Sequence, residues 1–299
     1  GTRFPSNFLT RRDANTFCAC SGPLPTYSVA AVVPRLALPM SLLVPVAAWP
    51  SPPVHSIRRI LVTSLERTAL ATGSDSGQVC LWCVEAAAAE GGADDGLRLS
   101  PRVILLGHTA EISWLACCAF ERSDALVSVC RSGFLNVWDP MDGRCLSSTS
   151  GPVLGGAAAT QGAMFPQHTH AVIGGESLQL CVVELSTMTV RCVLADCQNW
   201  THALATCSMG EGRVRLLSLE VGGELRSWDL SVQGAQVDAV PRGATRAWPA
   251  APVAPPPLIR QCEINADAGL MLTILYDGTL EVMALEPASV DGSAGDGGS

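Results

Sequence analysis

At 299 residues the chain is long enough for one large domain or two ordinary ones, and a hydrophobic share of 48% gives it material for a core and excludes wholesale disorder. The net charge is −8 and all 19 basic residues are Arg, scattered along the chain. That balance argues against a nucleic-acid footprint, which needs basic residues clustered on one face, and the absence of Lys excludes Lys-based catalysis.

Residues 1–39 show no repeat and carry several Pro, and are expected to be an unmatched, disordered extension. Residues 28–50 are strongly apolar, but Pro34, Arg35, Pro39, Pro45 and Pro50 interrupt them and spoil a regular spanning helix. Repeats begin after this point. Residues 68–72 predict a strand, Gly73-Ser74-Asp75-Ser76-Gly77 a turn, and Gln78-Val79-Cys80-Leu81-Trp82 a second strand. Residues 85–96, rich in Ala, Gly and Asp, predict an inserted loop; their first residues suit one helical turn, which Gly91-Gly92 would end. The hairpin pattern returns at residues 124–130, turns through Arg131-Ser132-Gly133, and runs on as Phe134-Leu135-Asn136-Val137-Trp138-Asp139. A weaker copy, Ser177-Leu178-Gln179-Leu180-Cys181-Val182-Val183-Glu184, places Val183 where the others have Trp. Residues 213–220 and Gly222-Gly223 lead into Glu224-Leu225-Arg226-Ser227-Trp228-Asp229. Residues 240–257, rich in Pro and Ala, predict a second inserted loop. The last copy runs from residues 270–276 through Asp277-Gly278 to Thr279-Leu280-Glu281-Val282-Met283, and 290–299 predict a flexible Gly/Asp/Ser tail.

In four copies a Gly (Gly77, Gly133, Gly223, Gly278) stands five residues before a large apolar residue (Trp82, Trp138, Trp228, Met283). With Val183 included, the terminal positions are separated by 56, 45, 45 and 55 residues. A four-stranded propeller blade takes ~40–45 residues, and the two long gaps contain the two insertions. The expected fold is therefore all-β: a WD-repeat β-propeller over residues 40–289, incomplete, with five visible blades and no clear last strand in the fifth. Its unpaired edges would invite aggregation.

Gly107-His108 followed by Trp138-Asp139 suits the Gly-His to Trp-Asp unit of one blade. In such a unit a His, a hydroxyl residue, a turn Asp and the Trp form a buried hydrogen-bonded chain. Ser128 is the candidate hydroxyl, and Arg131 stands where the turn Asp is expected. The first blade complements this with Asp75 and Trp82, with His55 as its candidate His. The structural blade residues are thus Asp75, Gly77, Trp82, Gly107, His108, Gly133, Trp138, Asp139, Gly223, Trp228, Asp229, Asp277 and Gly278.

Catalytic signatures are lacking. There is no G-x-S-x-G, no phosphate-cradling loop and no suggestive pair of carboxylates. Cys80 and Cys83 form a C-x-x-C within a strand, where residues three apart face opposite ways. His168 and His170, two apart, would share a strand face but are too few for a metal site. The 13 Cys are spread through strand segments, as reduced thiols in a cytosolic protein would be. No enzyme activity, cofactor or metal is expected.

Ser41-Leu42-Leu43-Val44-Pro45-Val46-Ala47-Ala48-Trp49, followed by the segment from Gly73 to Trp82, resembles the start of the rabconnectin beta family of large WD-repeat proteins. The similarity continues through Ser100-Pro101-Arg102-Val103-Ile104-Leu105-Leu106-Gly107-His108-Thr109 and Val137-Trp138-Asp139-Pro140-Met141-Asp142-Gly143-Arg144-Cys145. It is looser around Leu180 to Glu184, Trp200 and Leu225 to Trp228. The resemblance implies a cytoplasmic scaffold, peripherally associated with vesicle or endosomal membranes through its partners. It implies a rabconnectin alpha-like subunit and vacuolar proton pump subunits as those partners, with roles in pump assembly, organelle acidification and vesicle trafficking. In animals it also implies a link to Rab GTPase regulation. It carries no catalytic residues over. It further implies that Met40 is the initiator. The alternative is a general WD-repeat adaptor, such as a ubiquitin ligase substrate receptor.

Overall fold

The structure, a computed structural model, describes residues 56–63, 65–66, 68–86, 97–234, 236–247, 259–266 and 269–285, with the short pieces 28–29 and 47–48. The latter are β1 (Ser28–Val29) and β2 (Ala47–Ala48), which pair antiparallel. The rest of the apolar N-terminal stretch, His55 and the 290–299 tail lie outside the described residues. Among the described residues no helix is long and apolar enough to cross a membrane.

All remaining elements are strands in five antiparallel sheets. The first holds β3 (Ile57–Val62), β4 (Leu70–Ser74), β5 (Val79–Ala86) and β6 (Leu97–Leu105). The second holds β7 (Ile112–Phe120), β8 (Ser123–Cys130), β9 (Leu135–Trp138) and β10 (Cys145–Ser148). The third holds β11 (Ala159–Met164), β12 (His170–Gly175), β13 (Leu180–Glu184) and β14 (Thr189–Leu194). The fourth holds β15 (Thr201–Ser208), β16 (Arg213–Glu220), β17 (Glu224–Gln233) and β18 (Gln236–Arg246). The fifth holds β19 (Ile259–Asn265), β20 (Leu270–Leu275) and β21 (Leu280–Ala284), three strands among the described residues. In every sheet the strands lie side by side in chain order, the meander of a propeller blade.

The chain divides into two units: residues 1–160 with 184–189, and residues 161–183 with 190–299. In the first unit the first two sheets share a core of Leu81, Leu105, Ile112, Leu115, Leu126 and Trp138. The second unit has two cores. Phe165, Val172, Leu180 and Val182 pack with Leu216, Trp228 and Leu230 across the third and fourth sheets. Ala203 and Leu219 pack with Ile259, Met271 and Leu275 across the fourth and fifth. Within each unit, then, apolar burial lies at the seams between successive sheets, where it dominates the favourable term in folding.

The repeat extends to the register. In the first, second, fourth and fifth sheets the pairing of first and second strands slips by one residue, opposite Ser74, Cys130, Glu220 and Leu275. Each partner stands eight residues before Trp82, Trp138, Trp228 or Met283. A second slip, between third and fourth strands, recurs beside all three Trp residues. Such bulges bend a strand and increase its twist, so their recurrence gives successive sheets the same local shape.

Two expectations need correction. The loop expected over residues 240–257 begins later, because β18 stays paired to β17 as far as Arg246 opposite Glu224. Pro241 is tolerated there because it sits on the last strand of its sheet, at the bulge beside Trp228. The helical turn expected from residue 85 does not start there: Glu85 and Ala86 pair with Arg98 and Leu97, and residues 87–90 lie outside the described residues.

The four repeated Gly residues all take left-handed backbone, with φ of +82° at Gly77, +84° at Gly133, +79° at Gly223 and +87° at Gly278. Each N–H turns back to the carbonyl three residues earlier, at 2.8 to 3.4 Å. A side chain at Gly77 would also place its Cβ 2.6 Å from the His108 carbonyl oxygen, whereas nothing lies within 4 Å at Gly278. Gly278→Ala is therefore expected to cost only the ~1–2 kcal/mol of left-handed strain, and Gly77→Ala distinctly more. Urea midpoints for the two variants check the order, and equal midpoints contradict it.

Candidate functional site

Trp82 and Trp138 are each bonded by a hydroxyl residue ten positions earlier on the adjacent strand. Leu70 and Leu126 face Trp82 and Trp138 in the ladder, and a hydroxyl residue two positions further along the same strand reaches the indole. Trp82 Nε1 donates to Thr72 Oγ1 at 2.8 Å, and Trp138 Nε1 donates to Ser128 Oγ at 2.7 Å. The Ser128 hydroxyl stands 2.7 Å from His108 Nε2. Burial pushes His108 down to about 4, the contact with Ser128 opposing this, so the ring is neutral near pH 7. Ser128 Oγ therefore accepts from the Trp138 N–H on one side and is hydrogen-bonded to the His108 ring on the other. Gly107 is needed for the same packing, since a Cβ there would lie 2.9 Å from Trp138 Cη2.

The ten-residue offset holds elsewhere. Ser218 precedes Trp228, and Thr273 precedes Met283, both hydroxyls fully buried. At the third sheet the corresponding pair is Ile173 and Val183, both apolar and fully buried, so donor and acceptor are absent together. At the fourth sheet both groups are present, yet Trp228 Nε1 and Ser218 Oγ each find no partner among the described residues. Thr72, Ser218 and Thr273 are not among the blade residues expected from sequence, although a search for hydroxyls at fixed distance from the repeated Trp would find them.

The acidic blade residues behave differently from one another. Asp75 does not join the buried chain of the first blade: it is exposed in its turn, and its N–H donates to the Ser56 carbonyl. A charged carboxylate keeps water there in preference to an apolar seam. Asp139 accepts from Met141 N at 2.7 Å and pairs with Arg144 at 3.6 Å. Asp277 accepts from Thr279 N, which holds its carboxyl below the usual range. Asp229 takes Arg215 in a two-pronged contact of 2.7 and 3.1 Å and Arg242 at 2.6 Å, and these partners outweigh its burial to keep its carboxyl low. Glu220, fully buried, holds Arg226 and also accepts from Gln198 N.

The thiols are suited to packing. Burial pushes Cys80 and Cys118 up to about 12 and Cys181, Cys197 and Cys262 up to about 11, so they are protonated and weakly nucleophilic near pH 7. Cys80 and Cys83 stand on opposite faces of β5, opposite Ile104 and Ser100 in the ladder. His168 and His170 do not share a strand face: His168 has a left-handed backbone before β12, and His170 is buried against Phe165. Among the described residues no group of three or more His, Cys, Asp or Glu is placed to hold a metal ion. Within the second unit a groove of about 620 Å³ opens along the fourth and fifth sheets, with Arg215, Arg242, Arg246, Leu225, Met271 and Met283 among its walls.

A chain of the crystal structure of the mitotic checkpoint complex, a WD40 propeller, superposes with a TM-score of 0.50, covering 72% of this chain and 58% of that one at 16% identity. The fold is that of WD-repeat propeller blades. No family model matches the sequence. The sequence is similar to WD repeat-containing protein 72 of Mus musculus, 29% identical over 62% of this chain, and to its counterparts in Homo sapiens at 29% and Pongo abelii at 28%. The chain spans 16–17% of the length of these relatives. These relatives are themselves named as WD-repeat proteins.

Two outcomes are expected at the seams. Ser128→Ala leaves the Trp138 indole N–H buried without its acceptor and should cost about 1–3 kcal/mol, whereas Ser218→Ala removes an already unpaired hydroxyl and should be neutral or slightly stabilising. Chemical denaturation of the two variants decides this, and equal losses contradict it. The second outcome concerns pH. Because His108 is lowered on folding, the unfolded chain binds that proton more tightly. Stability is complete above the ordinary value of 6.5 and falls as pH drops through the window down to about 4. His108→Gln should flatten that fall relative to the parent chain; an unchanged slope places the titration elsewhere.

Proposed function

We propose that this chain is part of a non-enzymatic scaffold for protein–protein interaction, of the rabconnectin beta kind. What supports the scaffold reading is the seam. The Trp138 indole there is satisfied within its own blade, as is that of Trp82, and a sheet that meets its own polar needs leaves its connecting loops free to differ. The remaining chemistry suits binding: the buried thiols Cys80, Cys118, Cys181, Cys197 and Cys262 are protonated, His108 is engaged with Ser128, and Arg215 and Arg226 are held in ion pairs. The finer assignment rests on the N-terminal residues resembling that family. On this reading the complete protein works in the cytoplasm, held peripherally on vesicle or endosomal membranes by a rabconnectin alpha-like subunit and by vacuolar proton pump subunits.

Affinity purification of the tagged protein from its own cells tests the assignment. Pump subunits and a rabconnectin alpha-like protein should be enriched together, and depletion of the protein should make acidic vesicles more alkaline. Enrichment of a cullin-type ligase instead, with vesicle pH unchanged, replaces the pump reading with that of a ligase substrate receptor.

A further inference from the structure

The groove along the fourth and fifth sheets has a charge opposite to that of the chain as a whole. The chain carries −8, yet among the described residues the groove is lined by Arg215, Arg242 and Arg246 and by no carboxylate. Asp229 stands behind Arg215 and Arg242 and neutralises one charge of the two. Arg242 uses only its Nε for that contact and remains 54% exposed. Arg246 is exposed and makes no ion pair among the described residues. The placement of Arg242 follows from the backbone. Trp228 pairs with Pro241 and Ser227 with Gly243, so Arg242 is the extra residue of the bulge, and Gly243 takes a φ of +129° beside it. Bulges re-aim side chains, and here the seam Trp sets where the bulge falls.

The opposite wall is apolar, lined by Met271, Met283 and Leu285. A volume of about 620 Å³ suits a few side chains of an extended segment.

The geometry points to this groove as the docking site for an extended acidic peptide segment of a partner protein. Carboxylates of the segment pair with Arg242 and Arg246, and an intervening aliphatic side chain rests on Met283 and Leu285. This deepens the scaffold reading by giving the partner a chemistry, and it does not depend on the proton pump.

The test uses the 299-residue chain and a fluorescent peptide of alternating Glu and Leu, read by anisotropy. Arg242→Glu with Arg246→Glu should weaken binding by about tenfold or more, and added salt should weaken it in the parent chain. Arg260→Glu, exposed on β19 outside the groove, should leave binding unchanged. A matched peptide with Gln in place of Glu should bind weakly. Hydrogen exchange should show peptide-dependent protection at residues 242–247 and 281–285. Arg246→Glu alone, which breaks no ion pair among the described residues, serves if the double variant has a lowered thermal midpoint. Equal binding of the Glu and Gln peptides, insensitivity to both Arg variants, or protection elsewhere overturns the groove. So does binding to phosphatidylserine vesicles with none to the peptide, which would make the cationic wall a lipid contact. Failure to co-purify pump subunits leaves this result standing, and failure here leaves the co-purification standing.

Discussion

The organising constraint is the need to bury an indole and still satisfy its N–H. A Trp at the seam between two sheets removes a large apolar surface from water, but it takes one polar hydrogen with it, and an orphaned buried donor costs a good part of what the burial contributes. At Trp82 and Trp138 the second strand supplies an oxygen from a hydroxyl ten residues earlier. The bulge beside each Trp, the left-handed Gly five residues before it and the slip eight residues before it form one recurring unit around that contact.

The five sheets solve this constraint differently. The third drops both partners at once and places Ile173 and Val183 there, which retains burial and removes the polar requirement. The fifth keeps the hydroxyl and exchanges Trp for Met, a flexible side chain without a donor. The fourth keeps both groups but leaves them unpaired among the described residues, and its ion pairs Glu220–Arg226 and Asp229–Arg215 add polar contacts on the same strands. The bulge at its Trp also exposes Arg242, so a packing requirement at the seam shapes the cationic groove nearby.

Local chemistry accounts for what could be read in advance. The Gly turns, the Trp positions and the five copies were legible because each depends on residue type at fixed spacing along one hairpin. Gly107, His108, Ser128 and Trp138 were legible as a set for the same reason. The hydroxyls Thr72, Ser218 and Thr273 carry a signal of equal regularity, but a lone Ser or Thr in a strand looks like any other until the Trp partner is used as the origin of counting. Pro241 led the other way: its usual meaning as a strand breaker hid the continuation of β18, which an outer strand at a bulge permits.

The sequence by itself determined the number and type of repeating units, because strand alternation, turn backbone and seam residues are short-range requirements that recur with the hairpin. Only the tertiary structure decided which polar groups meet. Asp75 stays in water while Ser128 bridges His108 and Trp138, and Arg215, Arg242 and Asp229 converge from three strands. Those contacts depend on strand register and on the one-residue slips that redirect side chains, and a register is a property of paired strands, which no single stretch of sequence carries.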